Sequence, residues 1–183
     1  MKREESDSRR GPRLGLFVLA LTVAFSLLAC KETEIVHVGP NWNELHQLAS
    51  TGKSFEIKAD VGRTRYKLGE DLSFEVESPR SGRLWILQVD PADEVSLLFP
   101  NARSPINTVR AGQRLQIPSP DDSWVIEAAE PRGKSIVAFV VTTGDMDIRD
   151  ALGGARQEVM HKTLQLVADE PAWAIAKHYI DID

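Results

Sequence analysis

From Phe55 to Thr142 apolar residues return at every second position, and turn-forming residues interrupt the runs at short intervals. Phe55, Ile57 and Ala59 alternate with polar neighbours, and Leu72, Phe74 and Val76 do the same within Asp71–Ser78. A period of two places alternate side chains on one face, so each run predicts a half-buried strand. Arg83–Asp90 and Ser135–Thr142 are apolar at both parities, the pattern of a strand buried on both faces. Pro91-Ala92-Asp93 is turn chemistry, and Val95, Leu97 and Phe99 resume the alternation, which predicts a hairpin. Ala111-Gly112 marks another turn before a short strand at Leu115 and Ile117, stopped by Pro118 and Pro120. Trp124, Ile126 and Ala128 are expected to form a hairpin with Ser135–Thr142 through Glu130-Pro131-Arg132-Gly133.

One stretch departs from this rhythm. Between Asp147 and Asp169, Ile148, Leu152, Val159, Met160, Leu164 and Val167 fall at helical spacing, with Gly153-Gly154 as a break and Pro171 as a stop. Trp173, Ile175 and Tyr179–Ile182 predict a closing strand. About seven or eight short strands with regular turns predict a mainly β fold, an antiparallel immunoglobulin-like β-sandwich with one added helix before the last strand. The expected core is Phe74, Val76, Leu84, Ile86, Leu97, Phe99, Ile126, Val137 and Phe139.

The first residues follow another logic. Lys2, Arg3, Arg9, Arg10 and Arg13 precede an apolar run from Leu14 to Ala29, broken only by Gly15, Thr22 and Ser26. At about 1.5 Å per residue that run spans roughly 24 Å as a helix, short of the ~30 Å hydrocarbon core. A basic start, an apolar middle and a small residue before the cut describe an export leader. Leu27-Leu28-Ala29-Cys30 resembles a lipobox, which implies cleavage between Ala29 and Cys30 and acyl chains on the Cys30 sulfur and amine. By resemblance to sorting rules, Lys31 in place of an aspartate points to the outer membrane. The organisation expected is a lipoprotein signal peptide over 1–29, a lipidated N-terminus and tether over 30–53, and a β-sandwich domain over 54–183. Within the tether, Trp42, Leu45 and Leu48 predict one face of a short helix capped by Asn41.

Composition narrows the partners. The chain carries 22 basic and 27 acidic side chains, and the leader holds five of the former and three of the latter, leaving 17 against 24. An acidic balance lacks the basic footprint a nucleic acid demands. It also offers no polybasic clamp for a membrane, so acyl chains on Cys30 would have to hold the protein there. Cys30 is the only cysteine, which rules out an internal disulfide.

Several short motifs recur in a familiar order. They are Tyr66-Lys67-Leu68-Gly69-Glu70 before Leu72, Phe74 and Val76, then Gly82-x-Leu84-Trp85-x-Leu87-x-Val89-Asp90. Glu94-Val95-x-Leu97-Leu98-Phe99-Pro100-Asn101, Ala111-Gly112, Ile117-Pro118 and Glu130-Pro131-x-Gly133 follow. Together they resemble the bacterial domain-of-unknown-function family numbered 4384, over roughly Phe55 to Thr142. Arg83 and Trp85 stand where that family tends to a tyrosine-rich strand, and Asp93-Glu94 replace its usual Gly-Glu turn. The resemblance implies an extracytoplasmic β-domain, sometimes linked to secretion-system accessory lipoproteins, and supplies no catalytic residues.

A search for reacting groups yields scaffold instead. His37, His46, His161 and His178 lack zinc-site spacing. Asp145-Met-Asp147-Ile-Arg149-Asp150 has arginine where a calcium loop needs a ligand, and no glycine at its sixth position. Asp90, Asp93 and Glu94 share one turn and Asp121 with Asp122 another, unlike a buried glycosidase pair. No catalytic residue, metal or cofactor is therefore expected. The reading is a lipid-anchored, non-catalytic binding or assembly module of the cell envelope, with an envelope protein as partner. A narrower version is an accessory lipoprotein of a secretion-system or peptidoglycan-synthesis complex, and a third is an envelope hydrolase with an unrecognised site. The apolar face of 147–169 either covers an open end of the sandwich or leaves Met160 and Leu164 exposed as a partner surface, with Gly153-Gly154 as hinge.

Overall fold

The computed structural model describes residues 39–48 and 54–183. The leader, its cleavage point and Ala29 with Cys30 lie outside the described residues. In chain order the elements are α1 (Pro40–Gln47), β1 (Lys58–Asp60), β2 (Arg65–Tyr66), β3 (Asp71–Leu72), β4 (Phe74–Glu77), β5 (Gly82–Val89), β6 (Val95–Phe99), β7 (Thr108–Val109) and β8 (Arg114–Ile117). Then come β9 (Ile126–Glu127), β10 (Gly133–Thr142), α2 (Arg149–Leu152), a 3-10 turn (Arg156–Glu158), α3 (Val159–Ala168) and β11 (Trp173–Ile182). The fold is mainly β, with several sheets, mostly antiparallel, and a few short helices.

The doubly apolar runs form the axis of the molecule. A six-stranded sheet has the order β2-β11-β10-β5-β6, with β7 also pairing to β5. β10 lies between β11 and β5, antiparallel to both, and β2 joins β11 in parallel. Alternation along β10 and β5 divides their side chains between two cores. Leu84, Ile86, Val137, Phe139 and Val141 point to the first, where Phe74 and Val76 of β4 and Ile117 of β8 meet them from a three-stranded sheet, β1-β4-β8. Trp85, Leu87, Val89, Ile136, Ala138 and Val140 point to the second, which is covered by Trp42 and Leu45 of α1, Ile148, and Met160 and Val167 of α3. Phe74 meets Phe139 edge to face across the first core, with centroids 5.6 Å apart, a favourable aromatic geometry.

Several expectations need correction. The Trp124–Ala128 segment does not pair with β10. Its strand, β9, joins β3 through Asp71↔Glu127 and Leu72↔Ile126, because both faces and both edges of β10 are already taken. The Asp71–Ser78 run is divided at Ser73 between β3 and β4. Phe99 is buried, but not by continuing the Val95/Leu97 alternation. β6 carries a bulge, since Ile86 faces Phe99 while Leu87 faces Leu97. The extra residue, Leu98, turns Phe99 into the first core while Val95 and Leu97 pack on the second. Ile126 is only partly buried. The single helix expected over 147–169 is two helices joined by the 3-10 turn, with the interruption beginning at Gly153.

α1 falls within the stretch read as tether, yet Trp42 and Leu45 are buried in the second core, so this helix is part of the folded domain. Gly69, in the Gly-Glu turn before β3, has φ +79°, a conformation that suits a residue without Cβ.

Candidate functional site

Helix α1 reaches the domain through charged partners at both of its ends. Pro40 occupies its first turn, where a missing N–H costs nothing. The next two backbone donors are met by one carboxylate: Asn41 N–H donates to Asp93 Oδ2 at 3.2 Å and Trp42 N–H to Asp93 Oδ1 at 2.8 Å. Asp93 sits in the β5–β6 hairpin at φ 63°, a left-handed conformation that aspartate tolerates better than most residues. Asp90 Oδ1 shapes that hairpin by accepting from the Ala92 and Glu94 N–H groups, each at 2.8 Å. A Cβ on Gly39 would lie 2.1 Å from Asp93 Cγ, so the close approach depends on glycine there.

Asn41 is not the cap that the sequence suggested but a hub inside the helix, fully buried. Its Nδ2 donates to the Asp93 carbonyl at 3.0 Å and the Arg156 carbonyl at 2.8 Å, and its Oδ1 accepts from Met160 N–H at 3.0 Å. Met160 lies in the first turn of α3, so Asp93 caps α1 and Asn41 on α1 caps α3. At the other end of α1, Lys177 Nζ on β11 donates to the carbonyls of Leu45 and His46 at 2.8 Å and of Leu48 at 3.0 Å. Carboxylate at the N-terminus and ammonium at the C-terminus both complement the helix dipole. Burial lowers the Lys177 pKa from its ordinary value, while the three carbonyls favour the ammonium. Tyr179, two residues along β11, places its hydroxyl 2.6 Å from His46 Nδ1.

Beside this seat, α1 and α3 enclose an open groove of about 390 Å³ lined by Glu44, Gln47, Leu48, His161, Leu164 and Gln165, among others. His161 Nδ1 and Glu44 Oε1 bridge it at 3.3 Å. Leu164 is half-buried at its wall. Met160, paired with it as a partner surface, is fully buried in the second core. That expectation is corrected: at the start of α3 its side chain points to the sheet and presents nothing to a partner.

The acids named in the sequence serve turns and ion pairs. Glu94 pairs with Arg156 at 2.6 Å, and Asp122 Oδ2 accepts from Ser119 N–H at 2.8 Å. Asp147 holds Arg149 through both carboxylate oxygens, and that guanidinium lowers its carboxyl pKa. Among the described residues no group of three or more His, Cys, Asp or Glu could hold a metal ion, and no helix is long and apolar enough to cross a membrane.

Sequence reasoning missed Asn41, Asp93 and Lys177 as partners. Their contacts join positions 51 to 132 residues apart, which no local pattern reveals. Residues 65–145 match a family model described as "Domain of unknown function (DUF4384)", so the resemblance read from the motifs holds for that domain. The matched stretch runs from β2 to just beyond β10 and includes Asp93, whereas α1, α3 and Lys177 lie outside it. No curated protein and no solved structure matches the chain.

Proposed function

We propose that this chain is a lipid-anchored, non-catalytic binding or assembly module of the bacterial cell envelope, held in the outer membrane by acyl chains on Cys30. The observation that carries the reading is the short distance between that cysteine and a helix locked to the domain at both ends. Only residues 31–39 separate Cys30 from Pro40, at most about 30 Å of extended chain. An anchor at Cys30 would therefore pull on α1, and through Asp93, Asn41 and Lys177 on the sheet itself. Two or three acyl chains, at about 0.8 kcal/mol per buried methylene, hold a protein essentially permanently.

The partner in this reading is an envelope protein and not a nucleic acid, in keeping with the acidic balance. Leu164, on the open groove between α1 and α3, is retained as part of the partner surface. The accompanying fold reading is an immunoglobulin-like sandwich of the three-stranded and six-stranded sheets, with the helices as an added layer. Labelled fatty acid supplied to cells making the full chain should enter the protein and carry it into the membrane fraction. Cys30→Ala should abolish both, and undiminished labelling of that variant would overturn the anchor, since the chain has no other thiol. Cross-linking in intact cells then tests the partner. An anchored protein that captures no envelope protein would defeat the assembly role while leaving the anchor intact.

A further inference from the structure

On the side of the first core away from α1, a cavity of about 160 Å³ opens beside β8 and the segment leading into β7. Phe99, Leu115, Ile117 and Trp124 supply its apolar lining. The volume is below the roughly 300–1,000 Å³ of pockets for drug-sized ligands and suits one apolar side chain. Three further features meet here. β8 is an edge strand with β4 as its one sheet neighbour, so the main-chain groups along its other side have no strand partner. Trp124 Nε1 is buried and has no hydrogen-bond partner among the described residues, although an indole N–H can only donate and a buried donor is costly to leave unpaired. Ile106, which lines the cavity, is 75% exposed, and Val125, next to Trp124, is 55% exposed. These are the two most exposed large apolar residues described, and Ile106 is part of the cavity wall itself.

We infer that this edge binds an extended polypeptide segment, which adds a strand to β8, seats one apolar side chain between Phe99, Ile117 and Trp124, and offers a carbonyl to the Trp124 indole. A small apolar molecule would fill the cavity but leave the strand edge unpaired. A peptide meets both needs, because main-chain bonds supply affinity and alternate side chains supply selection in strand addition. The site lies wholly within the stretch matching the family model. It does not depend on Cys30 carrying lipid.

The test uses the full chain, ¹⁵N-labelled in detergent, with the Trp124 indole resonance assigned by Trp124→Phe. The probe is the hexapeptide acetyl-Thr-Leu-Thr-Leu-Thr-Leu-amide. Two controls accompany it, the same peptide with its third residue replaced by proline, and N-acetyl-leucine amide. The hexapeptide should shift the indole resonance saturably and slow amide exchange in β8, and the proline version should bind at least several-fold more weakly. Trp124→Phe should weaken binding about three- to tenfold, the value of one hydrogen bond. Ile106→Asp, at an exposed position, should weaken it without disturbing the fold. An indole resonance unmoved by millimolar hexapeptide would overturn the site. Equal responses to all three probes would overturn strand addition and leave a pocket for small apolar groups.

Discussion

Replacing Asn41 by alanine tests the seat of α1 at its most connected point. The side chain bonds the Asp93 and Arg156 carbonyls and the Met160 N–H from a fully buried position. Alanine leaves the Met160 N–H unpaired away from water and the part-buried Arg156 carbonyl without its donor. At about 1–3 kcal/mol for each buried group so orphaned, the loss should come to about 2–4 kcal/mol, a large share of the ~5–15 kcal/mol typical of a domain. Urea unfolding of the full chain, followed by tryptophan fluorescence, measures it, and the Met160 amide should lose exchange protection first. Asn41→Asp sharpens the test. It keeps an acceptor for Met160 but sets a second carboxylate against Asp93, where Nδ2 now lies 3.3 Å from Oδ2. Like charges raise the folded pKa of such a pair above its unfolded value. The added destabilisation should thus be complete above the folded pKa and relieved as pH falls through it. A parent-like midpoint for Asn41→Ala, within ~0.5 kcal/mol and with unchanged slope, would refute the hub and leave apolar burial alone to hold α1.

Other substitutions separate the remaining interactions. Lys177→Met should cost about 1–2 kcal/mol by leaving the carbonyls at the end of α1 without a cation, and limited proteolysis should find the chain near Leu48 cut sooner. Met160→Gln should lower stability by about 2–4 kcal/mol, because it puts an amide into an apolar core. Leu164→Gln, at the groove wall, should cost less than ~1 kcal/mol, and urea midpoints compare the two directly. The lowered Asp147 pKa stabilises the fold above the unfolded value and ceases to do so as pH falls through the folded one. Asp147→Asn should accordingly flatten the acid limb of stability below about pH 4, by no more than ~1 kcal/mol for so exposed a pair.

The strands were legible wherever burial alone decides the pattern. Ser135–Thr142 is apolar at both parities because two cores press on it, and no other element could satisfy that run. Pairing was less legible. β9 is two residues long, and nothing in Ile126-Glu127 distinguishes β3 from β10 as its neighbour. The bulge at Leu98 is equally silent, since Val95-Ser-Leu-Leu-Phe99 reads as alternation followed by one surplus apolar residue. α1 was expected as a helix, but its membership of the domain was not. That depends on Asp93 and Lys177, whose charges look like ordinary surface chemistry until the fold brings them to opposite ends of one helix. Met160 misled for a related reason: helical spacing identifies an apolar face, not what covers it.

β11 has a consequence for the order of events in the cell. The final strand is hydrogen-bonded to β10 along its whole length, carries β2 on its other edge, and supplies the lysine that fastens α1. Until β11 has been made, β10 has β5 alone beside it, both cores are open on that side, and α1 has no cation at its C-terminus. Such long-range closure is intrinsically late and slow. A chain of this design therefore cannot close either core until β11 has been made, however early its other strands are synthesised.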